Sequence, residues 1–247
     1  IKLINTIEEK ADLIQDLGVD HLVVKAFTKD FSRLSSLEYV RDLLVNKLHV
    51  KHIIVGYDHH FGRNRTANIN DLKEFGAFYG FKVTEISAQE VGDVAVSSTK
   101  IRTALGDGAI KIANEFLGYN FMINGTVIKG KGLGKTIQFP TANLKIEEPY
   151  KLIPKKGVYL VQSKINNKLV YGMLNIGTNP TVSDANELSL EVFFFDLNQT
   201  LYGECLTIQF LDRIRDEIKF SGLEALKSQL EFDQQAAYAK IALLTKN

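Results

Sequence analysis

Apolar residues recur at helical spacing in several parts of the first half of the chain, and short apolar runs lie between them. We predict helices near residues 7–17, 36–48, 70–79, 97–108 and 107–117, and strands at 21–27, 51–56 and 81–86. Thr6 precedes Glu9 by three residues, which predicts a capping box at the start of the first helix. The alternation of helices with short apolar strands predicts an α/β domain whose parallel sheet is covered on both faces.

The second half of the chain alternates apolar and polar residues with the period of strands. We predict strands at 157–165, 168–176, 188–196 and 205–211. Short connections between them indicate an antiparallel barrel or sandwich, and helical spacing after Ser221 predicts closing helices. We therefore expect an α/β domain over residues 1–118 and an all-β domain with C-terminal helices over residues 119–247.

The charge balance limits the classes of partner that the chain can bind. Its 247 residues carry 30 Lys and Arg against 29 Asp and Glu, so the formal net charge is +1 and no positive field exists to hold a nucleic-acid backbone. A single cysteine excludes an intrachain disulfide framework, and no run of about 18 apolar residues occurs. We expect a soluble cytoplasmic protein that binds neither nucleic acid nor membrane; self-association stays open.

The stretch KGKGLGKTIQFPTANL, residues 129–144, has the composition of a phosphate-binding loop. It fails the P-loop spacing because Gly130 lies only four positions before Gly134. It also fails the dinucleotide pattern G-x-G-x-x-G, because Lys135 occupies the position of the third glycine. Pro140 disfavours the helix that either motif requires, so we predict that no helix begins here.

Glu191 is a candidate general base. The second half of the chain contains no histidine, so a base there must be a carboxylate or a lysine. Strand alternation places Glu191 on the same face as Phe193 and Phe195, and burial beside aromatic rings makes a carboxylate a stronger proton acceptor. The alternative is an ordinary glutamate on a solvent-exposed strand face.

Two Pro-Thr pairs, FPTAN at 139–143 and NPTV at 179–182, each follow a segment that contains glycine. Such pairs are common at turns and strand edges, which is one interpretation. Hydroxyl and amide oxygens also suit Mg²⁺, and Thr141 and Asn143 point the same way on an extended segment. These two residues are therefore candidate ligands of one ion.

Three motifs resemble, in order, the signature of the riboflavin kinases. They are GTVIKGKGLGKTIQFPTANL at 125–144, GMLNIGTNPT at 172–181 and LEVFFFDLNQTLYG at 190–203. The sequence RIRDEIKFSGLEALKSQL at 213–230 is similar to the end of that family. The resemblance covers residues 119–247, and it implies a riboflavin-kinase-like antiparallel β-barrel that phosphorylates riboflavin with Mg²⁺-ATP.

The resemblance also implies the residues that bind Mg²⁺-ATP. A flexible turn would lie over the ATP phosphates, and it would contain Gly130, Gly132, Gly134 and Lys135. Thr141 and Asn143 match the residues that hold Mg²⁺ and ATP. Gln138 departs from the pattern, because a glycine usually precedes Phe-Pro in this family.

For the flavin, the resemblance implies a base and a ring pocket. Glu191 matches the base that deprotonates the terminal ribityl hydroxyl of riboflavin for attack on the γ-phosphate. Arg215 and Phe220 match residues of the flavin pocket. A flavin-binding module without phosphoryl transfer has no need of a carboxylate that faces two rings, so Glu191 discriminates between a kinase and such a module.

Two segments of the first half are candidate ligand sites. SSTKIR at 97–102 begins a predicted helix, where backbone N–H groups, hydroxyls and cations can meet a phosphate; the alternative is an ordinary capped helix. GYDHHFG at 56–62 follows a predicted strand, at the sheet edge where open α/β domains bind ligands. Neighbouring His59 and His60 diverge and lack a third ligand nearby, which disfavours a metal site.

Both segments resemble the FMN adenylyltransferase half of bifunctional bacterial FAD synthetases. The resemblance covers residues 1–118 and implies an incomplete Rossmann-like nucleotidyltransferase domain, with Asp58 and Phe61 at the flavin. Residues at its ATP would be Ser97, Ser98, Thr99 and Arg102. That superfamily binds ATP at a His-x-Gly-His segment after its first strand. This segment does not occur in the sequence, so we expect that the chain as given does not transfer adenylate.

These observations predict a riboflavin kinase within a bifunctional enzyme that makes FMN and then FAD. Riboflavin, FMN, FAD and ATP would be its substrates or products. One alternative is a kinase whose front domain is only a scaffold. Another is the flavin-binding module without phosphoryl transfer.

Overall fold

The computed structural model describes residues 1–88, 90–91, 94–130, 132–178 and 188–244, without the side chains of residues 90, 91, 133 and 135. These residues form two compact units: Ile1–Asp20 together with Ser97–Asn247, and His21–Val96. The predicted functional domains, 1–118 and 119–247, are a different division of the chain and stay a prediction. None of the described helices is long and apolar enough to cross a bilayer.

The helices are α1 Ile7–Asp16, α2 Lys29–Ser32, α3 Ser36–Glu38, α4 Ile69–Tyr79, α5 Ser98–Asp107, α6 Ile110–Leu117, α7 Leu133–Thr136 and α8 Leu223–Leu244. The strands are β1 His52–Gly56, β2 Lys82–Ile86, β3 Glu90–Val91, β4 Val94–Ala95, β5 Met122–Ile128, β6 Ala142–Lys145, β7 Gly157–Ile165, β8 Lys168–Thr178, β9 Leu188–Phe194 and β10 Cys205–Arg215. A π-helical segment, Tyr39–Val45, continues α3, and Arg63–Arg65 forms a 3₁₀ turn.

The unit His21–Val96 is built on two parallel strands, β1 and β2, which pair from His52–Lys82 to Gly56–Ile86. The parallel pairing confirms the prediction for these two strands. The prediction that both faces of this sheet are covered is wrong, because Ile54 and Ile86 are exposed.

A strand at 21–27 was also predicted, and this prediction is wrong. The segment has no regular structure, and its apolar side chains are exposed, with Val23 66% and Phe27 80% accessible. A short apolar run forms a strand only where a neighbouring strand pairs with its backbone. No strand among the described residues pairs with this segment.

The described residues of the unit formed by Ile1–Asp20 and Ser97–Asn247 contain a closed six-stranded barrel in the order β10, β5, β6, β9, β8, β7, and every adjacent pair is antiparallel. The antiparallel barrel was one of the two architectures that strand periodicity predicted. Asn166 and Asn167 connect β7 to β8 with φ of 49° and 62°, which is typical of a type I′ hairpin turn. Aromatic rings of Tyr159, Phe121 and Phe210 fill the barrel interior.

The prediction that no helix begins in residues 129–144 is wrong. The helix α7 occupies Leu133–Thr136 and makes a single turn. Pro140 does not oppose it, because the proline lies four positions beyond the end of that turn. After the turn the chain bends back, and the N–H of Phe139 donates to the carbonyl of Gly134 over 2.8 Å.

The helix α1 packs on the barrel through a buried ion pair. The predicted capping box is present, since the N–H of Glu9 donates to Thr6 Oγ1 and the Glu9 carboxylate accepts from the N–H of Thr6. The same carboxylate pairs with Lys151 Nζ and accepts from the N–H of Asn124 on β5 over 3.1 Å. Both charged side chains are fully buried, so α1 and the barrel form one unit.

Candidate functional site

A cavity of about 640 Å³ opens between the barrel wall and the helix α8. Its volume is typical of sites for small organic ligands. Most of its wall is apolar and consists of Ile137, Phe139, Val158, Met173, Phe193, Ile218, Phe220, Leu223, Leu226 and Leu230. Polar groups reach it from Thr141, Asn175, Thr178, Glu191, Arg215 and Glu217.

Glu191 lies on β9, the middle one of three adjacent strands at this cavity. Its antiparallel partners are Asn143 on β6 and Asn175 on β8. Directly opposite residues of antiparallel strands project from the same face, so the carboxylate is flanked by two amides. Thr141 Oγ1 donates to Glu191 Oε2 over 3.3 Å, and the glutamate is half-buried.

The predicted facing of Glu191 is confirmed, because Glu191 and Phe193 line the same cavity. Asn175 is a polar residue of the cavity that was not predicted from the sequence. Its alternation with Met173 on β8 would have placed these two side chains on one face, but only the pairing of β8 with β9 places Asn175 beside Glu191.

At two positions of the 129–144 stretch, close contacts leave no room for a residue with a Cβ atom. A Cβ atom at Gly130 would lie 2.1 Å from Asn143 Nδ2, and a Cβ atom at Gly134 would lie 2.1 Å from the carbonyl oxygen of Phe139. Gly132 has a φ of 72°, in the left-handed region that favours glycine. Gln138, at the position where the resemblance implies a glycine, adopts a φ of 68°.

The oxygen donors near Glu191 fit a hard cation. Thr141 supplies a hydroxyl, Asn143 an amide oxygen and Glu191 a carboxylate, and these are groups that Mg²⁺ accepts as ligands. The absence of a Cβ at Gly130 leaves the room that the Asn143 amide occupies. The Lys135 side chain and the whole second Pro-Thr segment, 179–182, lie outside the described residues.

Arg215 and Phe220 reach the same cavity as Glu191, although their roles in flavin binding stay predictions. The guanidinium carbon of Arg215 lies 5.8 Å from the centre of the Phe220 ring. Its Nε donates to both carboxylate oxygens of Asp233 over 2.8 and 3.0 Å, and Nη2 donates to Oδ2 over 2.7 Å. Sequence reasoning did not identify Asp233, which lies on α8.

The residues predicted for FMN and ATP in the first half belong to different compact units. Phe61 is buried in the core of the unit His21–Val96 and stacks on His59 at 5.8 Å. Asp58 is exposed, and its carbonyl lies 2.9 Å from His60 Nδ1. Their predicted contact with flavin stays a prediction.

The other predicted residues lie at the start of α5. Ser97 caps this helix, since its Oγ accepts from the N–H of Lys100 over 3.3 Å, and Ser98 and Thr99 form the first turn. Arg102 Nε donates to the carbonyl of Lys2 over 3.1 Å. These contacts are those of a capped helix, and the assignment to ATP stays a prediction. Within the described part of the chain, no cluster of three or more His, Cys, Asp and Glu side chains could hold a metal ion.

Comparison with known proteins identifies relatives along nearly the whole chain. A family model described as riboflavin kinase matches residues 117–241, and one described as FAD synthetase matches residues 1–100. The bifunctional riboflavin kinase/FMN adenylyltransferase of Listeria monocytogenes is 41% identical over 244 residues, which are 99% of this chain and 77% of that protein. The protein of the same name from Escherichia coli K12 is 37% identical over 94% of this chain and 73% of its own length.

A solved structure is also similar. The crystal structure titled macrolide-efflux protein from Streptococcus pneumoniae superposes with a TM-score of 0.86 and 32% identity, over 95% of this chain and 75% of that one. The barrel thus matches the riboflavin kinase family and the preceding residues match the FAD synthetase family. The chain belongs to the family of bifunctional riboflavin kinases/FMN adenylyltransferases.

Proposed function

We propose that the barrel catalyses the ATP-dependent phosphorylation of riboflavin to FMN, within a cytoplasmic enzyme whose second activity converts FMN to FAD. Family membership supports both activities. The observation that carries the kinase assignment is the position of Glu191, which is flanked by Thr141 and the Asn143 and Asn175 amides at the edge of an apolar cavity of about 640 Å³.

The apolar wall of the cavity suits the isoalloxazine ring of riboflavin. Phe139, Phe193 and Phe220 supply aromatic surface, and Met173 with the leucines of α8 completes the enclosure. The ribityl chain carries hydroxyls, which require hydrogen-bond partners once water is excluded. Asn175 and Glu191 offer such partners at the polar part of the wall. The cavity therefore orients the ribityl chain towards the carboxylate.

The transfer itself needs one proton acceptor. The terminal ribityl oxygen attacks the γ-phosphorus of ATP, the new O–P bond forms as the bond to the β–γ bridging oxygen breaks, and ADP leaves. Glu191 accepts the hydroxyl proton. Thr141 donates a hydrogen bond to the same carboxylate and so fixes the orientation of its oxygens. Most of the acceleration comes from this positioning, since phosphoryl transfer requires little covalent assistance.

Thr141 and Asn143 would hold Mg²⁺, with Gly130, Gly132 and Gly134 close to the phosphates. Bound Mg²⁺ would neutralise charge on the phosphate oxygens. The close approach of Gly130 to Asn143 means that the glycine turn and the amide are placed together, so the chain itself aligns the phosphate-binding backbone with the candidate ligand.

The test is to incubate the purified chain with riboflavin, ATP and Mg²⁺ and to measure FMN and ADP by chromatography. Stoichiometric FMN and ADP are expected. Bound riboflavin without FMN would overturn the kinase assignment in favour of a flavin-binding module.

A parallel incubation with FMN and ATP measures FAD and so tests the second activity separately. FAD formation would assign adenylyl transfer to the chain as given and contradict the expectation drawn from the sequence. FMN formation without FAD formation would show that this chain has the kinase activity of the barrel and lacks adenylyl transfer.

A further inference from the structure

The Arg215 side chain, which lines the cavity, is held by a buried carboxylate of α8. Asp233 lies on α8, one turn beyond Leu230, and its side chain is 2% exposed. Two nitrogens of the Arg215 guanidinium donate to the Asp233 carboxylate. Gln229 Nε2, four residues earlier on the same helix, donates to Asp233 Oδ1 over 2.9 Å. The carboxylate is thus fully engaged in orienting the arginine.

These contacts fix the plane of the guanidinium. Arg215 Nη1 also donates to the carbonyl of Asp216 over 2.9 Å, so the group is held from two directions. The planar fork of arginine loses its orientation when either partner is removed, because its long side chain has many rotamers. Among the contacts of the described residues, one N–H on each terminal nitrogen is left over for a ligand.

The pairing also changes the charge that a ligand meets. An unpaired arginine in an apolar pocket attracts anions, whereas a guanidinium paired with a buried carboxylate has no net charge. The Arg215–Asp233 pair therefore presents hydrogen-bond donors and a flat face beside Phe220 without a positive field. Such a surface suits the carbonyl edge of an uncharged planar ring.

We propose that Asp233 is a positioning residue for the flavin ring: it orients Arg215 beside Phe220 and neutralises its charge, so that this part of the cavity accepts the uncharged isoalloxazine ring. The proposal rests on the proposed riboflavin kinase activity. Asp233 touches Arg215 and Gln229 and acts on the substrate only through the arginine.

The experiment compares wild type, Asp233→Asn and the matched control Glu231→Gln, which changes an exposed carboxylate on the same helix. Riboflavin affinity is measured by quenching of flavin fluorescence, and FMN formation gives kcat and the two KM values. Asp233→Asn is expected to raise the riboflavin Kd and KM by about tenfold, with kcat and the KM for ATP changed less than about threefold. Glu231→Gln is expected to match wild type.

A second variant separates binding from folding. Removal of one partner leaves an uncompensated buried charge, whereas Arg215→Met with Asp233→Leu removes both charges and keeps apolar volume. The double variant is expected to unfold at a temperature close to that of wild type, yet to bind riboflavin about tenfold more weakly or worse.

Three outcomes decide the matter. Unchanged riboflavin affinity in both variants, with an active wild type, overturns the positioning role of Asp233. A lower melting temperature together with a lower kcat and higher KM values for both substrates shows a structural role only. This outcome also overturns the positioning role. A wild type that binds riboflavin and forms no FMN contradicts the proposed kinase function, while the Kd comparison still tests the role of Asp233.

Discussion

Asn143 and Glu191 lie directly opposite each other on the antiparallel strands β6 and β9. They are 48 positions apart in the sequence, and the barrel brings the candidate ligand for Mg²⁺ and the candidate base to adjacent places on one face. Thr141, two residues before Asn143, donates its hydroxyl to the same carboxylate. The pairing of β6 with β9 therefore brings Thr141 and Asn143 to Glu191.

The first prediction concerns the base. Glu191→Gln keeps the shape of the side chain and removes the proton acceptor. We expect kcat for FMN formation to fall by about 100-fold or more, because general-base catalysis contributes factors of that size. The riboflavin Kd should stay within about threefold, since most of the binding surface is apolar. Steady-state kinetics and fluorescence titration measure the two effects. Glu204→Gln, on an exposed part of the same barrel, is the control; an unchanged kcat in Glu191→Gln removes its assigned role.

The second prediction concerns the glycine turn. Gly130→Ala would place a Cβ atom 2.1 Å from Asn143 Nδ2, so the amide must move. We expect the KM for ATP to rise by about tenfold or more while the riboflavin Kd is unchanged. The control is Gly106→Ala in α5, where a Cβ meets nothing within 4 Å. Equal ATP kinetics in the two variants would contradict the contact between the glycine turn and Asn143.

The third prediction concerns backbone strain at Gln138. Its φ of 68° lies in the left-handed region, which costs a residue with a Cβ atom about 1 kcal/mol. The side chain is exposed, so Gln138→Gly loses no packing. Because glycine's greater freedom in the unfolded chain costs roughly 0.5 to 1 kcal/mol, the relief of strain should leave an increase in the free energy of unfolding of up to about 0.5 kcal/mol. Denaturant unfolding measures this. Gln138→Ala retains the Cβ atom and should show no gain; an equal gain in both variants would refute the explanation.

The fourth prediction concerns stability in acid, at the contact between Lys240 of α8 and Asp212 of β10. Burial alone would raise the pKa of Asp212, but hydrogen bonds from Lys240 and from the N–H of Arg213, with Lys111 nearby, lower it below 3.8. The unfolded chain therefore takes up this proton first as the pH falls. The stabilisation is complete above pH 3.8 and is lost as the pH falls through the lower pKa of the folded protein.

Asp212→Asn should consequently lower the free energy of unfolding by about 1 to 2 kcal/mol at pH 7. The difference from wild type should be the same at pH 6 and should shrink below pH 3.8. Denaturant unfolding at several pH values measures it, with Asp107→Asn on the exposed end of α5 as the control. A difference that grows on acidification would contradict the direction of the pKa change.

The fifth prediction concerns the attachment of α1 to the barrel. Burial lowers the pKa of Lys151, and its pairing with Glu9 opposes this change. Lys151→Met leaves the Glu9 carboxylate buried without its cation, and we expect a loss of about 3 to 5 kcal/mol in the free energy of unfolding. Adding Glu9→Gln removes the lone charge and should restore part of this loss. A double variant less stable than Lys151→Met would contradict the explanation.

Features that depend on near neighbours along the chain could be predicted from the sequence alone. Period-two alternation predicted β7, β8 and the shared face of Glu191 and Phe193, because side-chain direction in a strand follows from backbone geometry alone. The Thr6 capping box closes within four residues and was equally predictable. The order of the glycine-rich and Pro-Thr motifs was sufficient to identify the family resemblance.

The contacts between residues that are distant in the sequence could not be predicted and depend on how the strands and α8 pack. Asn175 lies beside Glu191 because β8 pairs with β9, and Asp233 meets Arg215 because α8 packs over the cavity. Neither contact has a local signal in the sequence. The apolar run at 21–27 failed as a strand for the converse reason: its composition is that of a strand, but a strand requires a hydrogen-bonded neighbour. Periodicity is a local property of the chain, whereas pairing and burial depend on residues far away in the sequence.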